Sequence, residues 1–343
     1  MIIDAHAHMI STEYLNKLSN QGGKWAKEAA RQRLFGGNIS KPYANNVGPR
    51  IEQLDKYGID FQVVTPFHAL DSNLMPGNAN SRMAYAKVLN DGMAKLMEES
   101  KGRLIAAGSI PMEYFDQSGQ QELERAINKL GLKGIAIITN IHGKPLDAPE
   151  FEPFWAEVSR MDIPVWLHPR DPAGTTDRSY EAGYDLMHQF GWPFETTLAL
   201  SRLVFSGIME RYPNLKVIAH HLGGGLIPFY MGRILETYAP ESENPVNMGS
   251  KRSPLLPKSL FDYFSRFYYD TAVGGVWGKS APAIRCAYEL LGANQLVFAT
   301  DYPAGPGEAR LAKYPRLIES LGFPEKDEKK IFANNARQIL HLS

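Results

Sequence analysis

Cysteine is almost missing from this chain: Cys286 stands alone among 343 residues. A lone cysteine excludes an intramolecular disulfide and leaves no thiolate cluster, so any metal must be held by nitrogen and oxygen. An excess of either charge is missing too, with 37 Lys plus Arg against 37 Asp plus Glu. No long basic block interrupts that balance, so nucleic acid is not an expected partner. Nor does any stretch approach the roughly eighteen uninterrupted apolar residues of a membrane span, and no basic segment precedes the short N-terminal apolar run. A cytoplasmic protein without signal peptide or membrane contact is the expectation.

What is present is an ordinary globular balance, 44% hydrophobic and 22% charged. This length suits a single α/β barrel as well as two average domains, and no linker invites a cut, so residues 1–343 are read as one domain. Short β-branched runs alternate with longer segments of helical spacing. The expected strands are Ile2 to Ala5, Phe61 to Thr65, Leu104 to Ile110, Gly134 to Ile138, Val165 to His168, Lys216 to Ala219, Phe267 to Asp270 and Gln295 to Thr300. Between them lie expected helices at Ala79 to Glu99, Gln117 to Lys129, Phe151 to Arg160, Phe194 to Arg211, Leu226 to Tyr238, Ala281 to Leu291 and Glu308 to Ser320. Such alternation implies parallel pairing with right-handed crossovers, and eight units can close into a (β/α)8 barrel. A doubly wound open sheet is the alternative, but the first strand lacks the GxGxxG turn that would favour it. Loop insertions are expected near residues 11–48, 170–183 and 240–257.

Barrel chemistry sits at the C-terminal ends of the strands, so the residues there decide the functional reading. The first strand runs into His6 and His8, whose i, i+2 spacing on a strand puts two imidazoles on one face. The fifth runs into His168, the sixth into His220 and His221, and the eighth into Asp301. Five of the nine histidines therefore fall at strand ends, together with a carboxylate. Neutral imidazoles with one carboxylate suit Zn²⁺ or another divalent first-row ion, and a position left open to water makes such a site catalytic. His68 and His142 each follow an expected strand and are weaker candidates for the pocket, and His341 is expected in solvent.

These residues also carry a resemblance. Asp4-Ala5-His6-Ala7-His8, His168-Pro169, Gly191-Trp192-Pro193-Phe194-Glu195-Thr196, Arg211-Tyr212-Pro213-Asn214-Leu215-Lys216, His221-Leu222-Gly223-Gly224 and Thr300-Asp301-Tyr302-Pro303 resemble motifs of the amidohydrolase superfamily. More narrowly, they are similar to the branch of aminocarboxymuconate-semialdehyde, resorcylate, carboxyvanillate and iso-orotate decarboxylases. The resemblance implies a distorted (β/α)8 barrel with one divalent ion, zinc or manganese, on His6, His8, His168 and Asp301. It makes His221 the proton-shuttling histidine and turns His220 into the wall. Arg50 matches an arginine that holds a substrate carboxylate, and Arg233 one lent across a dimer. His188 falls where the semialdehyde decarboxylase has a pocket tryptophan, and Ala304 where it has a phenylalanine, so its substrate is not carried over.

The activity so implied is non-oxidative decarboxylation of a small aromatic or unsaturated carboxylic acid, with His221 and Asp301 as the catalytic pair. The alternative in the same superfamily is hydrolysis of a lactone, ester or amide, or hydration. A non-catalytic scaffold would have lost ligands, and all the ligand positions are filled. Apolar residues on the helices Phe194 to Arg211 and Leu226 to Tyr238, together with Arg233, lead to the expectation of a homodimer.

Overall fold

Eight short strands carry the architecture: β1 (Ile3–His8), β2 (Phe61–Thr65), β3 (Leu104–Ala106), β4 (Ile135–Ile138), β5 (Pro164–His168), β6 (Lys216–Ala219), β7 (Tyr268–Asp270) and β8 (Leu296–Val297). The computed structural model describes residues 1–21, 44–66, 78–170, 184, 186–238, 256–274 and 279–342. Most of the expected insertions, and His68, lie outside them. Strands β1 to β3 form one parallel sheet and β4 to β8 a second, in chain order. Isolated bridges join the two arcs, Gly108 to Ile135 at one seam and Ala7 to Tyr302 at the other. The two arcs thus make the expected (β/α)8 barrel in distorted form, not closed by continuous ladders among the described residues, with isolated bridges at the seams.

Helices separate the strands, among them α1 (Thr12–Gln21), α2 (Val47–Tyr57), α3 (Ala79–Glu99), α4 (Gln117–Glu124), α5 (Glu152–Arg160), α6 (Trp192–Phe205), α7 (Leu226–Tyr238), α8 (Ala281–Leu291) and α9 (Glu308–Ser320). Their limits follow local chemistry. Asn78 caps α3 by accepting from the Ser81 amide at 3.2 Å, a contact that satisfies an otherwise unpaired first-turn donor. The helix expected from Phe194 to Arg211 ends at Phe205, because Gly207 takes a left-handed φ of 80° and starts a separate turn. Strands β3 and β8 are shorter than their apolar runs; beyond Ala106 and Val297 single backbone bonds continue the pairing, from the Ala107 amide to the Val64 carbonyl at 3.0 Å and from the Ala5 amide to the Phe298 carbonyl at 2.8 Å.

An inner apolar plug of Ile3, Ala5, Val63, Ile105, Trp166, Ile218 and Val297 fills the lower barrel. Trp166 is fixed there by donating its indole N–H to the Ala5 carbonyl at 3.0 Å. Strict alternation would put Asp4, His6 and His8 on one face. Instead the pairing of β1 with β2 slips between Asp4 and Ala7, as a bulge does when it re-aims a side chain beside a functional site. Ile3 and Ala5 consequently feed the plug while His6 and His8 stand above it. Asp4 turns to Gln62 (2.8 Å) and to the Thr300 amide (2.9 Å), tying β1 to β2 and to the exit of β8.

Candidate metal centre

Above the plug, one donor atom each from His6, His8, His168 and Asp301 gathers within 4.8 Å of the others, and all four residues are buried. The Nε2 atoms of His6 and His8 face each other at 3.1 Å. Asp301 Oδ1 lies 3.0 Å from His8 Nε2 and 3.5 Å from His6 Nε2. That oxygen is buried and makes no hydrogen bond. Lone pairs aimed at one point repel unless a cation or a proton sits between them, so the donor set fits a divalent first-row ion.

Outer partners reinforce this fit. His6 Nδ1 is 2.7 Å from Asp270 Oδ2, His8 Nδ1 is 2.9 Å from Thr65 Oγ1, and His168 Nδ1 is 2.8 Å from the Pro169 carbonyl. Every imidazole is held by its outer nitrogen, which leaves Nε2 for the centre, the arrangement found around metal-ligating histidines. Burial pushes His8 down to about 4, so this ligand is neutral at physiological pH. For His6 burial also disfavours the charge, but the Asp270 carboxylate, together with Asp301 and Asp4, outweighs it and the net shift is upward. Burial would raise Asp301, yet the Arg310 guanidinium beside it holds the carboxyl well below the usual carboxylate range.

His221 stands at the rim. Its amide donates to Asp270 Oδ1 at 2.9 Å, and its Nε2 is 3.7 Å from Asp301 Oδ2. With 20% of its side chain accessible, it faces both the ligands and the opening. The backbone here is strained: His221 (φ 53°), Leu222 (φ 58°) and Asp301 (φ 58°) all adopt left-handed conformations. Such conformations cost about 1–3 kcal/mol each and collect at functional sites. Its neighbour His220 is fully buried, and its ring stacks on that of His6 with centroids 3.4 Å apart. Burial keeps this imidazole neutral.

Of the other expected site residues, Arg50 is 0% exposed, and its guanidinium donates to the His8 carbonyl at 2.6 Å and to Gln62 at 2.9 Å. Its face lies 4.4 Å over the Tyr302 ring. These bonds tie α2 to His8 at the end of β1. His188 is exposed and packs edge-on against Trp192 at 4.7 Å, while Trp192 itself lies 5.5 Å from His168. Trp192 thus touches both His188 and His168. Arg233 is on the exposed face of α7. His142 sits apart with Arg82, 3.1 Å away, and Glu113; His341 is at the surface beside Lys216 and Asp162.

Two residues that sequence reasoning passed over carry much of the site. Asp270 joins His6, the His221 amide and the Ala272 amide; as a carboxylate closing an apolar strand it had the same signature as Asp301. Arg310 pairs with Asp301 from the first turn of α9, and nothing in its helical surroundings distinguishes it from a surface arginine.

A parallel barrel with a buried His/Asp cluster at the C-terminal ends of its strands defines a class of metal-dependent barrel enzymes. Within it, the amidohydrolase family model matches residues 3–342, and the chain belongs to that family. Among characterised proteins it is similar to the 2-amino-3-carboxymuconate-6-semialdehyde decarboxylase of Dictyostelium discoideum, with 30% identity covering 99% of this chain and 91% of the relative. It is 28% identical to the gamma-resorcylate decarboxylase of Rhizobium sp. (strain MTP-10005), covering 85% of this chain and 86% of that one. In three dimensions it matches the 5-carboxyvanillate decarboxylase of Novosphingobium aromaticivorans complexed with manganese and 4-hydroxy-3-methoxy-5-nitrobenzoic acid. The TM-score is 0.81 at 22% identity, over 100% of this chain and 96% of that one. No helix among the described residues is long and apolar enough to cross a membrane.

Proposed function

We propose that this protein is a non-oxidative carboxy-lyase of a small aromatic or unsaturated carboxylic acid, acting in the cytoplasm with one divalent ion, Zn²⁺ or alternatively Mn²⁺. The observation that carries the reading is the buried His6, His8, His168 and Asp301 cluster with its orphaned Asp301 oxygen, in a chain similar to decarboxylases over most of its length. A bound ion would serve as Lewis acid and template for the substrate carboxylate and a neighbouring oxygen. The chain's own groups supply the rest. Trp192 borders the site beside His168, and its flat face suits a planar acid. His221, accessible at the rim, delivers a proton to the carbon bearing the carboxylate. The carbon–carbon bond then breaks, its electron pair returns to the ring, and CO2 leaves.

The test is a mass balance on hydroxybenzoates and muconate-type acids in D2O and in ¹⁸O-labelled water. Equimolar CO2 and one deuterium at the vacated carbon, with no ¹⁸O in the product, is the expected result. Incorporation of ¹⁸O without CO2 would make the protein a hydrolase.

We also propose a homodimer. Phe194 (55% exposed) and Leu198 (41%) on α6, and Phe229 (72%) and Tyr230 (41%) on α7, are large exposed apolar residues on two helices that pack together. Exposed apolar surface of this kind suits an interaction face, and Arg233 on α7 would reach a second copy through it. Phe229→Asp is expected to shift the mass in light scattering from dimer to monomer without loss of helical signal. A monomeric wild-type protein at micromolar concentration would dispose of the dimer.

A further inference from the structure

The two carboxylate oxygens of Asp301 have different surroundings. Oδ1 faces His8 and His6 Nε2 at 3.0 Å and 3.5 Å without a hydrogen bond. Oδ2 is engaged by Arg310 Nη1, which also donates to the Thr300 carbonyl at 3.0 Å. Both side chains are only 8% exposed, so this is a largely desolvated pair rather than a surface contact.

Arg310 reaches Asp301 because of where α9 begins. A helical side chain leans back towards the N-terminus of its helix, so an arginine in the first turn projects towards the end of β8. A cation there opposes the helix dipole and is locally unfavourable. Its placement makes sense through Asp301. The path for the guanidinium depends on Gly305 (φ 58°), where a Cβ would lie 2.9 Å from Nη2 and 3.3 Å from Nε.

We infer that Arg310 is a positioning residue that fixes the ligation mode of Asp301: by holding Oδ2 it leaves Oδ1 alone to meet the ion. The inference rests on the four-ligand centre proposed above. Carboxylates bind cations through one oxygen or two. With Oδ2 released, Asp301 can chelate, adding a donor and closing the coordination position that a catalytic site keeps for substrate. Arg310 thereby keeps the centre open.

The experiment uses Co²⁺ as the probe, bound to wild type, Arg310→Gln, Arg310→Lys and Gly305→Ala. Wild type is expected to bind one equivalent with the intense visible bands of a four- or five-coordinate ion. Arg310→Gln should show the weaker bands of a higher coordination number, and its affinity should change with them, since a donor is gained while the bond that orients Asp301 is lost. Arg310→Lys should recover part of both. Gly305→Ala, which displaces the guanidinium while keeping its charge, should follow Arg310→Gln and decides the matter if that variant does not fold. Wild-type spectrum and affinity in Arg310→Gln, even with a lowered Tm, would reduce Arg310 to a structural ion pair and overturn the inference. Failure of wild type to bind stoichiometric Co²⁺ would instead count against the four-ligand centre itself.

Discussion

Replacing His8 or His168 by alanine is expected to abolish stoichiometric metal binding and to lower decarboxylation by about a thousand-fold or more. Each supplies one of four ligand positions. His220 lies within reach of His6 and Asp270 with its ring stacked on His6, and His221 Nε2 is 3.7 Å from Asp301, but losing either ring leaves three of the four donors of the main cluster. The magnitude follows from the several kcal/mol that a Lewis-acid ion contributes to transition-state charge, each 1.4 kcal/mol being about tenfold in rate. Metal analysis of purified variants and single-turnover assays read the two effects separately. Full activity with the metal retained would remove that residue from the centre. Chelation of the wild-type protein should reproduce the loss, and activity should return on adding Zn²⁺ or Mn²⁺.

The second large effect is expected at Asp270, through three partners at once. Asp270→Ala leaves His6 Nδ1 without its acceptor and orphans the His221 and Ala272 amides. A buried donor without a partner, such as the Ala272 amide, costs roughly 1–3 kcal/mol, and the part-buried His221 amide less. Loss of the orienting bond to a ligating imidazole costs about 10–100-fold in metal affinity or activity. Asp270→Asn separates these contributions, because its amide oxygen can still accept from a backbone N–H while the negative charge beside His6 is gone. Its Tm should lie nearer to wild type than that of Asp270→Ala, whereas its metal affinity should stay low. Wild-type affinity in both variants would mean that Asp270 only braces the loop.

These partners explain why the candidate site was half legible in advance. His6, His8, His168, His221 and Asp301 stand directly after apolar runs, and a parallel barrel gathers strand ends at one rim whatever the loops do. The bonds of Arg50 were not legible in this way, because local context cannot tell an arginine that meets solvent from one that donates to the His8 carbonyl.

By itself, then, the sequence determined the alternation of strands and helices, the barrel that follows from it, and the polar residues that close its strands. Short-range periodicity and chain geometry are enough for that. Only the tertiary structure decided how the ligands are aimed. The slip in β1 between Asp4 and Ala7 accompanies its pairing with β2, and it brings His6 and His8 to the barrel interior that Ile3 and Ala5 also face, above the apolar plug. The orientation of His6 comes from Asp270, 264 residues away. Asp301, too, owes its free oxygen to a helix turn that reaches it past Gly305. Such contacts leave no period or motif in the chain, because they depend on where the folded barrel brings distant residues together.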